Sequence, residues 1–501
     1  MHARRPGPCA RAQWFRPSSW FSNDVSRAES YTLRRAGRWL DAPVLHLIRP
    51  APHGWLVRRA EPPTLSPLFA KGRLHMKREV KAGIAGLVFG SMLVGCGVAP
   101  EQEAQNEVEE MTAEATSSAE AGLDEHRGSS MPAAVARFGP AVAYGDGKFF
   151  AVWTDVRTGG IYGTRVKPDG TVLDPGGIRI NISDENGERP AIAFNGKYFF
   201  VVWESRDGVD GVRVKPDGTV VGPVFRAIQT DESFGPVRVA CSPKICLVTY
   251  TISGDEETVI FFTRVTKDGV VLSTDDRTLS AVPNFANDAS STWNNKTKEF
   301  LVVWSDEHGQ GPENADIYGN RVKENGTILD GTGFPISQAE GAQTTPDVEW
   351  TGKNYQVVWS DDRNGNPDIF GARVGKTGTV KDPEGIPIST AAGAQTEPRI
   401  AHHNDKSLVV WDDTRNGPHA VWGARWGENG DVWDPSGFPI SSGFLPQEYL
   451  PDVAFGADKF FTVYAAQAVY DPSEPHFILG TRVTHQAQVK DVPALPLTRQ
   501  R

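Results

Sequence analysis

The sequence predicts an all-β protein, a seven-bladed β-propeller of four-stranded antiparallel blades, preceded by a disordered leader, a signal segment and a tether. Three observations predict it. Seven segments follow one plan, the first running PAVAYGDGKFFAVWTDVRTGGIYGTRVKPDGTVLDPGGIRIN from Pro140 to Asn181. An aromatic anchor recurs at Trp153, Trp203, Tyr250, Trp304, Trp359, Trp411 and Tyr464, spaced 50, 47, 54, 55, 52 and 53 residues apart. Asp-Gly or Asn-Gly, the strongest short hairpin signal, falls at one place in the plan, as in Asp169-Gly170, Asp217-Gly218, Asp268-Gly269, Asn325-Gly326 and Asn429-Gly430.

Each unit reads as four strands. Strand a is PAVAY, and later copies start at Pro190, near Pro236, near Asp288, and at Pro346, Pro398 and Pro451. A short polar turn leads to strand b, FFAVW, apolar at every position as a strand buried on both faces must be. A longer polar loop leads to strand c, IYGTRV, whose Arg recurs as Arg165, Arg213, Arg264, Arg321, Arg373, Arg425 and Arg482. Strand d follows the Asp-Gly turn and ends in Ile-x-Ile or Pro-Ile-Ser. Four antiparallel strands at a period of about 50 suit a propeller blade, which buries both faces only when stacked in a ring. Val489 to Thr498 aligns with the outer strand of the first copy. Blade 7 is therefore expected to supply its own outer strand, rather than borrow one from residues 128–136.

The domain so defined covers residues 138–498, and what precedes it divides in three. Residues 1–75 carry twelve Arg, one Lys and four acids, lack sustained apolar periodicity, and read as a disordered, over-extended gene product upstream of a true start at Met76. Residues 76–95 hold a charged n-region (Lys77, Arg78, Lys81) and an apolar stretch from Ala82 to Val94. That stretch is too short for a bilayer span, which needs about 20 residues, but suits a secretory signal. Residues 96–137 contain nine acids and no Phe, Trp or Tyr, and read as a disordered acidic tether. Removing the two basic segments from the formal charge of -10 leaves -21 on residues 96–501. So acidic a chain speaks against nucleic-acid binding, where basic side chains replace counterions.

Leu93-Val94-Gly95-Cys96 resembles the lipobox of bacterial lipoproteins. The resemblance implies lipidation of Cys96, cleavage before it, and anchorage at a membrane through the acyl chains. Gly97 is not the Asp associated with inner-membrane retention, so a cell-envelope location at the outer membrane is expected. The repeat unit itself is similar to uncharacterised exported bacterial lipoproteins with tandem W-x-D-x-R … D-I-Y-G-x-R-V … D-G repeats, over roughly residues 138–498. That resemblance implies a propeller and export and brings no activity. The unit shares its a–b turn and period with WD-repeat propellers but lacks their Gly-His. It also lacks the S-x-D-x-G-x-T-W box of sialidase-like propellers.

Trp153-Asp155-Arg157, Trp359-Asp361-Arg363 and Trp411-Asp413-Arg415 repeat with the fold, and packing repeats whereas a single ligand site breaks symmetry. These residues are therefore expected to be structural. Cys241 and Cys246 replace positions held by Tyr144 and Phe149 in blade 1, which should face each other across a hairpin, and a disulfide is expected in an oxidising envelope.

For function, the a–b and c–d turns share one rim and are uniform, whereas the b–c loops and d–a links share the other and vary. Variable loops on a rigid scaffold are where binding usually lives. The candidates are His308, Asp362, Asp368 and His419 on that rim, and Trp422 in the outer strands of blade 6, where an exposed Trp beside polar groups could stack on sugars. Asp362, Asn364, Asn366 and Asp368 place oxygen ligands at alternate positions, like the start of a Ca²⁺ loop, but Arg373 stands where the closing Glu would be. No other cofactor is suggested. No nucleophile motif, phosphate loop or His/Cys metal spacing is found. The leading expectation is a monomeric, lipid-anchored, non-catalytic binding or scaffold module for an unknown protein or glycan. The alternatives are an envelope hydrolase with acids near the propeller axis, where a polar pocket should then lie, and a structural or adhesive surface protein.

Overall fold

The computed structural model describes residues 139–498 except 156–157, 183–185, 231, 255–256, 273–276, 281–284, 309–310, 442, 444 and 468–475. The leader, the signal segment with Cys96, the acidic tether and residues 128–136 lie outside the described residues. Within it the chain forms seven antiparallel sheets arranged as a propeller. Six have four strands, each following the sequential order a-b-c-d. The third has five, because Pro236 splits its inner strand into Ser233–Phe234 and Arg238–Cys241, both paired with strand b.

Strand b is the buried spine of each blade. In blade 1 (Lys148–Asp155) every residue after Lys148 is buried, and in blade 5 (Asn354–Asp361) all eight are. The anchors Trp153, Trp203, Tyr250, Trp304, Trp359, Trp411 and Tyr464 are at most 1% exposed. They pack between blades: Trp304 shares a core with Leu247 and Phe262 of blade 3, and Trp153 with Phe461 and Val463 of blade 7. Strand c keeps Gly where a neighbouring ring must approach. A Cβ on Gly371 would sit 2.9 Å from the Val357 carbonyl oxygen and 3.0 Å from the Trp426 ring of blade 6.

The strand-c Arg is an inter-blade staple. Arg165, Arg321, Arg373, Arg425 and Arg482 each form a forked pair with the Asp nine residues on, as in Arg165 Nε and Nη2 to Asp174 at 2.8 and 2.7 Å. The free Nη1 then donates to a carbonyl in the c–d turn of the next blade: Arg165 to Pro216 at 3.3 Å, Arg425 to His485 at 3.1 Å, and Arg482 to Pro168 at 3.1 Å. The last of these joins blade 7 to blade 1. At the same seam Val142 N donates to Asp452 Oδ2 at 2.7 Å, and the Tyr144 ring lies so close to Gly456 that a Cβ there would be 2.1 Å from it. Blade 7 is completed by its own Leu495–Pro496 on Gly480 and Leu479, as the aligned C-terminal segment predicts.

The W-x-D-x-R unit is structural where it is described. Trp304, Trp359 and Trp411 donate Nε1 to Asp306, Asp361 and Asp413 at 2.9, 2.7 and 2.7 Å. Arg363 and Arg415 fork onto the last two carboxylates. Cys241 and Cys246 face each other in register and are disulfide-bonded, with Cα atoms 4.0 Å apart. Ser242 N donates to Ile245 O at 2.8 Å, so the cysteines occupy the adjacent non-hydrogen-bonded pair, where side chains come closest.

Two expectations shift. Outside blade 2, whose outer strand Val220–Gln229 follows Asp217-Gly218 directly, the residues after this turn make single bridges, such as Val166 with Val172, and strand d proper starts later, at Ile178–Arg179 in blade 1. Strand a starts before its expected first residue, which is Asp288 in blade 4 and a Pro in the others: Gly187, Ala286, Gln343, Gln395 and Gln447 begin it in blades 2, 4, 5, 6 and 7. The Pro sits in a bulge, where the ladder needs no donor from it.

Candidate binding site in the axial cavity

The seven innermost strands surround a cavity of about 410 Å³ on the propeller axis. Five share a bulge at one register position, between Glu188 and Ala191, Asn287 and Ser290, Thr344 and Asp347, Thr396 and Arg399, and Tyr449 and Asp452. In each, the extra residue is left-handed without being glycine: Arg189, Asp288, Thr345, Glu397 and Leu450, with φ of 46, 54, 49, 53 and 51°. Such backbone costs about 1 kcal/mol or more per residue. It turns all five into the cavity wall.

Two residues on, the register-equivalent positions are Ala141, Ala191, Arg238, Ser290, Asp347, Arg399 and Asp452. Blades 1, 2 and 4 carry a small residue here, and blades 3, 5, 6 and 7 carry charges of both signs. Two residues further along, Glu349 stands alone among five alanines and Thr292. Packing obeys the sevenfold plan in this fold, and these tiers break it.

Most of these charges are spent within the wall. Asp347 accepts Ile400 N at 2.9 Å and Ser290 Oγ at 2.6 Å, tying blade 5 to blades 6 and 4. Asp452 accepts Val142 N; burial pushes its carboxyl up to about 6, against the pull of that amide and of Arg399. Arg399 pairs with Glu397 at 3.2 Å, and burial, which opposes its charge, is outweighed by Glu397, Asp347 and Asp452. Arg189 pairs with Glu204 at 3.1 Å, whose carboxyl burial pushes up to about 7.

Three groups on consecutive blades are not spent. Arg238 makes no ion pair among the described residues; its Nη1 meets only the adjacent Val237 carbonyl, at 3.1 Å, and burial and Arg399 lower its pKa. Asp288 and Glu349 have no hydrogen-bond partner among the described residues. Burial, aided by Glu397, pushes Asp288 up, and burial, aided by Asp347, pushes Glu349 up to about 8.

The rim and outer-strand candidates already have internal partners. His308 Nδ1 bonds Asp306 at 2.5 Å and its ring stacks on Tyr318 at 4.3 Å. Trp422 lies under the Arg415 guanidinium, 3.8 Å from it. Asp362, Asn364 and Asn366 are exposed while Asp368 is buried at the start of strand c, where it accepts Asn364 Nδ2 at 2.7 Å. The part of the Asp362 carboxyl that the loop covers, together with Asp361, pushes its pKa up, and burial pushes up that of Asp368. Among the described residues no group of three or more His, Cys, Asp or Glu could hold a metal. His419 pairs with Asp412 at 2.8 Å, which raises its pKa. It lies 6.4 Å from the ring of Tyr449, the neighbour of Leu450 in the cavity wall. Tyr449 in turn bonds His476. The axial residues escape a reading that looks only at loops. Their signal is charge inside strand a: Arg238 and Glu349 stand at positions where blades 1 and 2 have Ala, and Asp288 is a bulge residue.

No protein-family model and no curated protein matches the chain. Among solved structures it is similar to an α-L-arabinofuranosidase from Lactobacillus brevis, at 14% identity and TM-score 0.33, covering 49% of this chain and 90% of that one. It is similar to a puromycin hydrolase at 14% identity and TM-score 0.47, over 74% of this chain and 57% of the other, so it spans little more than half of that enzyme. It is also similar to a thermostable family-43 glycoside hydrolase, at 12% identity and TM-score 0.38, covering 63% of this chain and 95% of that one. Likeness at this level carries no argument about activity.

Proposed function

We propose that this protein is a non-catalytic binding module of the bacterial envelope, anchored through a lipid on Cys96, that holds a small polar ligand in its axial cavity. One observation carries the binding site: Arg238, Asp288 and Glu349, three unspent polar side chains on consecutive blades, line one cavity. A cavity of this size falls in the range of small-molecule sites, roughly 300–1,000 Å³. The anchor rests on the charged, apolar and Leu-Val-Gly-Cys pattern of residues 76–96.

One feature favours the hydrolase reading, a carboxyl at Glu349 held protonated at neutral pH as a general acid would be. It lacks a free partner on its own strand, because both oxygens of Asp347 are engaged.

The experiment is capture. The full chain is incubated with the small-molecule fraction of an envelope extract, washed and denatured, and the released compounds are identified by mass spectrometry. The wild type is expected to return an unchanged compound and Ala141→Trp, which adds bulk at a half-buried position of the cavity lining, to return none. Equal capture by both moves binding to the rim, and a converted compound supports the hydrolase. Metabolic labelling with palmitate tests the anchor: incorporation is expected in the wild type and none in Cys96→Ser.

A further inference from the structure

We propose that the ligand of the axial cavity is a small zwitterion of the amino-acid or dipeptide class, its carboxylate taken by Arg238, its ammonium by Asp288, and a neutral oxygen of its body by Glu349. The inference rests on the binding reading above and adds the chemistry of the ligand.

The argument is one of unspent charge. Arg189 and Arg399 already have carboxylate partners, so Arg238 is the cavity guanidinium left for an incoming anion. One free guanidinium matches one carboxylate, which a planar fork grips with two parallel hydrogen bonds. A phosphate dianion would bring a second negative charge into a wall that already holds Asp347, Glu397 and Asp452. On the next blade Asp288 lines the cavity without a hydrogen-bond donor among the described residues, and burial penalises its charge. An ammonium relieves that penalty, whereas a ligand with only an anionic group leaves it in place. Arg238 and Asp288 sense each other electrostatically yet form no ion pair, which leaves room for a molecule that bridges them. Glu349, one blade further, offers an acid proton to a carbonyl or amide oxygen.

The test is isothermal titration of the full chain with glycyl-glutamine, N-acetyl-glycyl-glutamine, glycyl-glutamine amide and glucose. The free dipeptide is expected to bind, and each blocked form to bind at least about tenfold more weakly, the cost of one lost charged hydrogen bond. Arg238→Gln is expected to erase the difference between acid and amide while keeping that between amine and acetyl. Asp288→Asn does the reverse. Glu349→Gln keeps both differences. Unchanged circular dichroism and melting without ligand show that each variant folds. The proposal is overturned if blocked and free dipeptides bind alike, if Arg238→Gln leaves the acid–amide difference intact, or if no dipeptide binds. Binding of glucose alone would overturn the zwitterion while sustaining a binding cavity, and failure of Ala141→Trp to abolish any binding observed would overturn the cavity itself.

Discussion

Arg482 Nη1 donates to the carbonyl of Pro168 across 3.1 Å and 314 positions of sequence. The same guanidinium forks onto Asp491, which is 4% exposed at its side chain. Ring closure thus uses the device that joins the other blades, applied between the last and the first. Asp491→Ala removes one partner of a largely buried pair and leaves Arg482 uncompensated, and is expected to destabilise the domain by about 3 kcal/mol. Urea unfolding followed by tryptophan fluorescence measures it. A loss no larger than that of an exposed-charge control such as Glu340→Ala would refute the closing role.

The Trp-Asp-Arg staple should behave alike wherever it occurs. Asp361→Ala strands the Trp359 indole N–H and the Arg363 guanidinium together. The expected cost is about 3 kcal/mol. The equivalent Asp413→Ala lies in the next blade, so the two losses should add within about 0.5 kcal/mol. Strong non-additivity in chemical denaturation would mean that the blades do not carry independent staples.

The Cys241–Cys246 disulfide closes a loop of sequence separation 5. So short a loop constrains the unfolded chain little, and the double Cys→Ser variant is expected to lose about 2 kcal/mol. Calorimetry with and without reductant checks it: reductant should lower the wild-type Tm to that of the variant and leave the variant unchanged.

Glu349 makes stability depend on pH. Its carboxyl is pushed up to about 8 in the fold, first by burial and then by Asp347. Asp288 on blade 4, and Arg399 and Glu397 on blade 6, line the same cavity. Unfolded, the group ionises near 4.5. Between those values the folded state holds the extra proton, so this residue's contribution falls as pH rises from 4.5 to 8 and is flat above. Glu349→Gln removes the penalty and should stabilise the protein above pH 8, by at most about 5 kcal/mol, with no gain at pH 4. Tm against pH for both proteins measures the gap, and a gap that is constant or widens towards acid would contradict the buried acid.

Sequence alone determined the architecture. Periodic anchors, uniformly apolar b strands and Asp-Gly turns are local signals, and each means the same thing in every copy because packing repeats with the chain. The disulfide was legible for the same reason: Cys241 and Cys246 inherit the facing positions of Tyr144 and Phe149. Tertiary structure decided where strand a begins and where a ligand can sit. The Pro expected to open the strand lies in a bulge, whose left-handed residue is visible only once strand b imposes its register. Arg238, Asp288 and Glu349 lie on three different blades, and nothing in the order of residues says that they share one cavity. Closing the ring brings them together, and the same closure decides which charges find partners in the wall and which remain for something else.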